Sequence, residues 1–363
     1  MELARQGKGL SHGGSPSITP LLTRFNTALA RLTAFRSRHN LQRSETERIS
    51  HTMDSEKKAS AGAHPHRIRV GLAGWSYDDW NGIVYPSPHP RDFHEVTFLA
   101  QFFDTIEINT SFYQPLKPQL ATHWIGRAAD NPRFLFTAKM WQKFTHEPAF
   151  TAEDDKLVRA GFDPLFDAGK LGAVLLQFPF SFHHSPETLA RLKLLIQIFR
   201  DYPLVVEVRH ASWARPEFYE FLHERGVGFC NIDQPVIGKS IKPTERTTSP
   251  VGYFRLHGRR YDTWFSDDPE MPSHERYNYL YSEEELEPWA KRIDHVAKHA
   301  ENTFVIGNNH YIGKAAVNAL QLIHLLRKEK VKVPEPLRQH FPQLDSIASE
   351  PPKEPLLFPL APT

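Results

Sequence analysis

Pro203-Leu204-Val205-Val206-Glu207-Val208-Arg209-His210-Ala211-Ser212-Trp213 is a run of strand-forming residues with two charges inside it. Side chains alternate along a strand, so Leu204, Val206 and Val208 share one face and Val205, Glu207 and Arg209 share the other. A strand hydrophobic on both faces belongs in a parallel sheet covered by helices. Burying Glu207 there without a partner would cost on the order of several kcal/mol. The face that carries Glu207 and Arg209 must therefore look onto something polar.

Seven more runs of this kind flank it, at 68–75, 105–111, 134–139, 172–178, 228–233, 252–257 and 303–308. Helical patterns fall at 92–103, 119–129, 153–168, 186–199, 216–225, 283–299 and 314–328. Some open on capping residues, Ser185 before Pro186 and Ser282 before Glu283-Glu284-Glu285. Strand and helix alternating in this way predict a single-domain (β/α)8 TIM barrel over 66–333. The alternative, an open doubly wound sheet, lacks its usual functional reason, because no glycine-rich phosphate loop follows any strand. Taking alternate residues as inward gives Glu107 and Asn109, Lys139, Gln177, Glu207 and Arg209, Asn231 and Asp233, then Tyr253, Arg255 and His257. The polar groups share one face and cluster toward the strand C-terminal ends, where barrels of this kind keep their active sites.

Bulk properties set limits. The 363 residues are 40% hydrophobic, enough for a sizeable core, and no run of eighteen apolar residues is present. A cytoplasmic protein without membrane association is the expectation. Cys230 is the only cysteine and sits in a strand-like run, as a small core residue would. A net charge of +2 argues against an overall electrostatic grip on nucleic acid, though not against a local basic groove. Residues 1–65 differ in composition: between Leu3 and Ser44 there is no acidic residue, and Arg24, Arg31, Arg36, Arg38 and Arg43 alternate with apolar residues at helical spacing. This stretch reads either as a transit peptide or, preferably, as a disordered extension upstream of a physiological start at Met53. The proline-rich 334–363 is expected to be a disordered tail without packed elements.

Several short motifs occur in order. They are Gly71-Leu-Ala-Gly-Trp75-Ser-Tyr, Glu107-Ile-Asn109-Thr-Ser-Phe-Tyr113, Leu176-Gln-Phe-Pro179, Val206-Glu-Val-Arg209-His-Ala-Ser-Trp213, Ile232-Asp-Gln-Pro235, Tyr253-Phe-Arg255-Leu-His257-Gly258, Arg276-Tyr-Asn-Tyr-Leu-Tyr281 and Asn308-Asn-His310. Together they resemble the YecE-like proteins, the domain of unknown function 72, over essentially all of 66–330. The resemblance implies a TIM barrel without a settled activity. Two positions depart from the expected pattern: Asn278 stands where the family suggests aspartate, and Gly307 where it suggests an aromatic residue.

The inward set supports three kinds of chemistry. Glu107, Glu207, Asp233 and His257 are candidates for proton transfer, with an Arg209–Glu207 structural pair as the alternative. Arg209, Arg255 and Lys139 would hold an anion, because a guanidinium fork matches phosphate or carboxylate. Asn109, Asn308 and Asn309 would orient polar groups, and Trp75 and Trp213 would stack on a ring or plug the barrel. The stretch Asn308 to Lys314, running into the last helix, offers an anion site at a helix N-terminus. A metal is not expected, since three cations share the inner face; the cofactor is left open. These residues predict a mouth binding a small anion of sugar-phosphate or nucleotide-like kind. Single-stranded or damaged nucleic acid, or a non-catalytic sensor role, are the alternatives. Oligomeric state is left open.

Overall fold

The computed structural model describes residues 67–349, apart from 266, 267 and 269. The basic N-terminal stretch with Met53, and residues 350–363, lie outside the described residues.

Eight parallel strands close in sequence order into a barrel. They are β1 (Ile68–Ala73), β2 (Thr105–Ile108), β3 (Leu135–Lys139), β4 (Leu171–Gln177), β5 (Leu204–Glu207), β6 (Gly228–Asp233), β7 (Val251–Leu256) and β8 (Asn302–Gly307). The ring closes through β8, whose Val305 lies opposite Val70 of β1. Several strands stop one to three residues before their apolar runs do. After β2, for example, Asn109 opens a helical turn over Thr110–Tyr113, which lifts its side chain to the rim.

The helices are α1 (Glu95–Leu99), α2 (Pro118–Arg127), α3 (Ala152–Asp167), α4 (Pro186–Phe199), α5 (Pro216–His223), α6 (Glu283–Ala297) and α7 (Lys314–Arg327). Ser185 and Ser282 accept from backbone N–H groups as the sequence suggests, each closing a reciprocal capping box. In α6 the buried residues are Leu286, Trp289, Ile293, Val296 and Ala297. That is one stripe at helical spacing, laid on the outer face of the sheet, and each full burial of such a side chain stabilises by about 1.5–3 kcal/mol. Among the described residues no helix joins β6 to β7; a loop does so instead. Its Ile241 N–H donates to the Arg209 carbonyl and its Lys239 carbonyl accepts from Ala211, fixing the backbone that carries Arg209.

The barrel floor is filled from one side. Between β3 and β4 the register slips so that Phe136 faces Leu171 and Thr137 faces Ala173, leaving Gly172 as the extra residue. A Cβ on Gly172 would stand 2.3 Å from Cζ of Phe304, which reaches across from β8. Glycine is what lets that ring fill the floor.

One expectation is corrected. The chain from Pro334 on is not without packed elements: α8 (Glu335–His340) and a 3-10 segment Pro342–Ser346 follow α7, and Val331 bridges Ala348. Leu337 and Leu344 are fully buried, with Phe341 and Ile347 beside them. The prolines mislead because they sit at helix starts, where the ring's fixed φ is favourable and no N–H is needed. No helix among the described residues is long and apolar enough to cross a membrane.

Candidate functional site

Alternation places Arg255 of β7 in the barrel axis, where it is 1% exposed. Its Nη1 donates to Glu207 Oε2 at 2.7 Å, and its Nη2 to Glu107 Oε1 at 2.8 Å and Asn308 Oδ1 at 3.4 Å. Arg209 adds Nε at 2.9 Å and Nη2 at 2.8 Å, both to Glu207 Oε1. Tyr253 donates to Glu107 Oε2 at 2.8 Å. The result is a chain of alternating charge, Glu107–Arg255–Glu207–Arg209, in which each buried carboxylate has a guanidinium. Burial by itself would raise the Glu207 carboxyl. The Arg255 and Arg209 guanidiniums, with the His257 ring, instead hold it well below the usual carboxylate range. Burial opposes the charge of Arg255, and Glu107 and Glu207 more than restore it.

His257 is fully buried behind this chain. Asn308 Nδ2 donates to its Nδ1 at 2.9 Å, which assigns the ring proton to Nε2, 3.6 Å from Glu207 Oε1. Burial, then the nearby Arg209, push the imidazole down to about 3. His257 is thus neutral at physiological pH. In the unfolded chain it titrates near 6.5, so between roughly 6.5 and 3 the unfolded state binds the extra proton, and stability present above that window is lost as pH falls, by up to about 1.4 kcal/mol per pH unit. His257→Gln should accordingly flatten the loss of urea resistance between pH 7.5 and 5. An identical pH slope in variant and parent would remove His257 from the account.

Beyond Arg255 the barrel opens into a cleft of about 510 Å³. Lys139, Arg209 and Arg255 form its base, with the amides of Asn109, Gln177 and Asn308 around them. Trp75, Tyr77, Tyr113, Trp124, Tyr277 and His310 supply aromatic walls. Tyr77 stacks on His310 at 4.3 Å, and Trp80 Nε1 donates to the His310 carbonyl at 2.9 Å, which fixes that wall. A hollow of about 650 Å³ lies at the opposite end of the barrel, beside the start of β7, lined by Arg67, His223, Arg246 and Lys298 among others. It is larger, but most of its lining is exposed and none of the inward polar set lines it, so the site is the cleft at the strand C-terminal ends.

Lys139 differs from the arginines. Its Nζ sits 3.9 Å from the centre of the Phe112 ring, and among the described residues no carboxylate comes within 4.0 Å of it. Burial, then the Arg255 charge, lower its pKa to about 7, against the pull of Glu107 and Glu207. Burial and the neighbouring Lys139 likewise keep His146 neutral, at about 4.

Of the residues singled out from sequence, Trp75, Asn109, Lys139, Arg209, Arg255 and Asn308 line the cleft. Glu107, Glu207 and His257 lie beneath it as the support of Arg255 and Arg209. Asp233 turns aside to Arg259, 2.9 Å away, which also bonds Glu285. Burial raises its carboxyl, and Arg259 opposes the rise. Asn309 ties the rim to α7, donating to the Tyr279 carbonyl and to Asn318 Oδ1, both at 2.8 Å. Trp213 does not reach the mouth: it is fully buried, stacks on Phe182 at 5.3 Å and donates from Nε1 to the Phe182 carbonyl. The turn over Ala211–Trp213 carries it away from the axis. The anion site expected at the start of α7 does not open on the cleft either. Lys314 instead donates to Asn278 Oδ1, and Ala315, Ala316 and Val317 are buried. At Gly307 a Cβ would lie 3.3 Å from Ala315, so the start of α7 packs closely against that position.

Sequence reasoning passed over Ser76, Thr110, Trp124 and Tyr277 as site residues. Ser76 and Thr110 lie inside the quoted motifs, next to residues that were chosen, and Tyr277 lies inside the tyrosine-rich motif, none of whose residues was chosen; Trp124 comes from α2, which strand parity cannot place. Among the described residues no three His, Cys, Asp or Glu side chains converge as a metal site would require.

With the geometry in place, comparison adds kinship. The chain matches the family described as "Protein of unknown function DUF72" over residues 69–343. It is 30% identical over 272 residues to the UPF0759 protein YunF of Bacillus subtilis, spanning 71% of this chain and 94% of that one. To the UPF0759 protein YecE of Escherichia coli K12 it is 29% identical over 174 residues, 46% of this chain and 59% of that one. A DUF72 family protein from Thermotoga maritima superposes with a TM-score of 0.62 at 33% identity, covering 72% of this chain and 100% of the other. One from Enterococcus faecalis gives 0.63 at 25% identity, covering 72% and 95%. A closed eight-stranded parallel barrel, matched across its whole length in sequence and in shape, makes this chain a member of the DUF72 family.

Proposed function

We propose that the cleft binds a small organic anion of the sugar-phosphate or nucleotide-like kind, held by Arg209 and Lys139 and stacked against Trp75 and Tyr77. The observation that carries this reading is a charge surplus. Two carboxylates, Glu107 and Glu207, are each matched by a guanidinium, and among the described residues the ammonium of Lys139 is left over at the cleft base without a carboxylate. An incoming anion supplies the missing charge, and partial burial makes that contact stronger than it would be in water. Asn109 Oδ1 and His310 Nδ1 are buried without hydrogen-bond partners, as suits a ligand rich in hydroxyl groups. Proton transfer in such a site falls to Lys139, which faces the ligand and titrates near neutrality. Glu207 is a fixed anion and His257 a fixed neutral ring.

The test is thermal unfolding against inorganic phosphate, sugar phosphates, nucleotides, sugar carboxylates and short single-stranded DNA, at low and high salt. A ligand at a hundred times its Kd stabilises by about 2.7 kcal/mol, a shift of several degrees. One anionic class is expected to give that shift, and Arg209→Gln is expected to abolish it. A shift from DNA alone that collapses with salt would favour a nucleic-acid groove. No shift from any compound would overturn the reading in favour of a scaffold.

A further inference from the structure

Arginine would hold an anion as well as lysine does, and it would stay charged. The cleft has two arginines and a lysine, and the lysine is built differently. Its backbone is pinned on both sides, with the Lys139 carbonyl accepting from the Ser111 hydroxyl at 2.7 Å and the next residue's N–H bonding the Leu175 carbonyl. The side chain then runs beside the Phe112 ring to the cleft, where among the described residues no carboxylate pairs with Nζ. The charged and titratable groups around it are Glu107 from β2, Glu207 and Arg209 from the end of β5, Arg255 from β7, and His146 beyond β3. Both carboxylates are already committed to guanidiniums.

From this arrangement we infer that Lys139 is an amine nucleophile that forms an imine with a carbonyl-bearing anion, an aldehyde or ketone carrying a phosphate or carboxylate. The inference rests on the anion-binding reading above and narrows its substrate class. Duties divide between the side chains: the guanidinium of Arg209 holds the anionic end, and the amine reacts with the carbonyl end. A desolvated lysine beside other cations keeps a large share of free amine at neutral pH, which an exposed lysine does not. The step balances without a further reactant. The Nζ lone pair forms a C–N bond to the carbonyl carbon, and the oxygen takes the proton that nitrogen gives up, producing a carbinolamine. The C–O bond then breaks, the hydroxyl leaves as water with the second nitrogen proton, and the imine takes one proton from solvent to become an iminium. Its positive charge lies where the surplus charge of the site already is.

The probe is pyridoxal 5′-phosphate, a planar aldehyde bearing a phosphate, followed by borohydride reduction and peptide mass spectrometry on the full chain. Pyridoxal serves as the phosphate-free control and inorganic phosphate as competitor. Lys139 is expected to be modified at least about tenfold faster than any other lysine, since its free-amine fraction at neutral pH is far larger. Inorganic phosphate should protect it, and Lys139→Arg should lose the adduct. Phosphate-competable quenching of tryptophan fluorescence with Lys139 unmodified would overturn the imine and leave the anion site standing. Equal labelling of Lys139 by pyridoxal and its phosphate, without phosphate protection, would keep the nucleophile and overturn the anion site. Neither binding nor selective labelling would overturn both.

Discussion

Replacing Arg255 with methionine is expected to lower the unfolding free energy by about 3–5 kcal/mol, the usual cost of removing one partner from a buried ion pair. The side chain has nearly the right volume, so the loss is electrostatic rather than a cavity. Glu207 keeps Arg209, but Glu107 is left with Tyr253 as its hydrogen-bond donor in a site where it is fully buried. For a domain of this size the melting temperature should fall on the order of 10 °C. Adding Glu107→Gln to Arg255→Met should recover much of the deficit, because a neutral amide can remain buried where a lone carboxylate cannot. Urea unfolding at pH 7 of the two single variants and the double variant measures this. If the double variant is no more stable than Arg255→Met alone, the alternating charge chain is not what holds the barrel mouth together.

Lys139→Met should move stability the other way while weakening binding. An ammonium with the Phe112 ring beside it and no carboxylate among the described residues opposes folding in a partly buried cleft, and methionine fills the same space without a charge. In the unfolded chain this lysine titrates near 10.4, and in the fold at about 7. Between those values the unfolded state binds more protons, so the parent's handicap is complete below pH 7 and fades as pH rises toward 10.4. After discounting for solvent screening in an open cleft, the variant should gain about 1–3 kcal/mol at pH 7 and almost nothing near pH 10.5. It should also bind phosphate-bearing ligands roughly tenfold to a hundredfold more weakly, from the loss of one charge-assisted contact. Melting curves at both pH values, with and without inorganic phosphate, report both effects. A variant less stable than the parent at pH 7 would mean that Lys139 is a structural cation with a partner, not a group held ready for a ligand. Stability given up for a site is the expected sign of function.

The barrel was legible in the sequence because its signal is local and repeated. Eight apolar runs with helices between most of them leave little choice of architecture, and the period of two in each strand decides which residues look inward. Glu107, Lys139, Glu207, Arg209 and Arg255 could be placed on one inner face by counting. How those charges divide among themselves could not be counted, since it depends on which strands face each other across a closed ring. Arg255 is fastened to Glu107 and Glu207, 148 and 48 positions away, while Lys139 finds no carboxylate among the described residues. The same limit explains Trp213, which the turn after β5 swings into the packing against Phe182, and Trp124, which arrives in the cleft from a helix. At the C-terminus, proline content pointed to an unpacked tail, and the burial of Leu337 and Leu344 shows otherwise. Periodicity is carried by neighbours along the chain and survives in the sequence. Pairing, burial and the resulting charge states arise between distant segments, and exist only once the ring has closed.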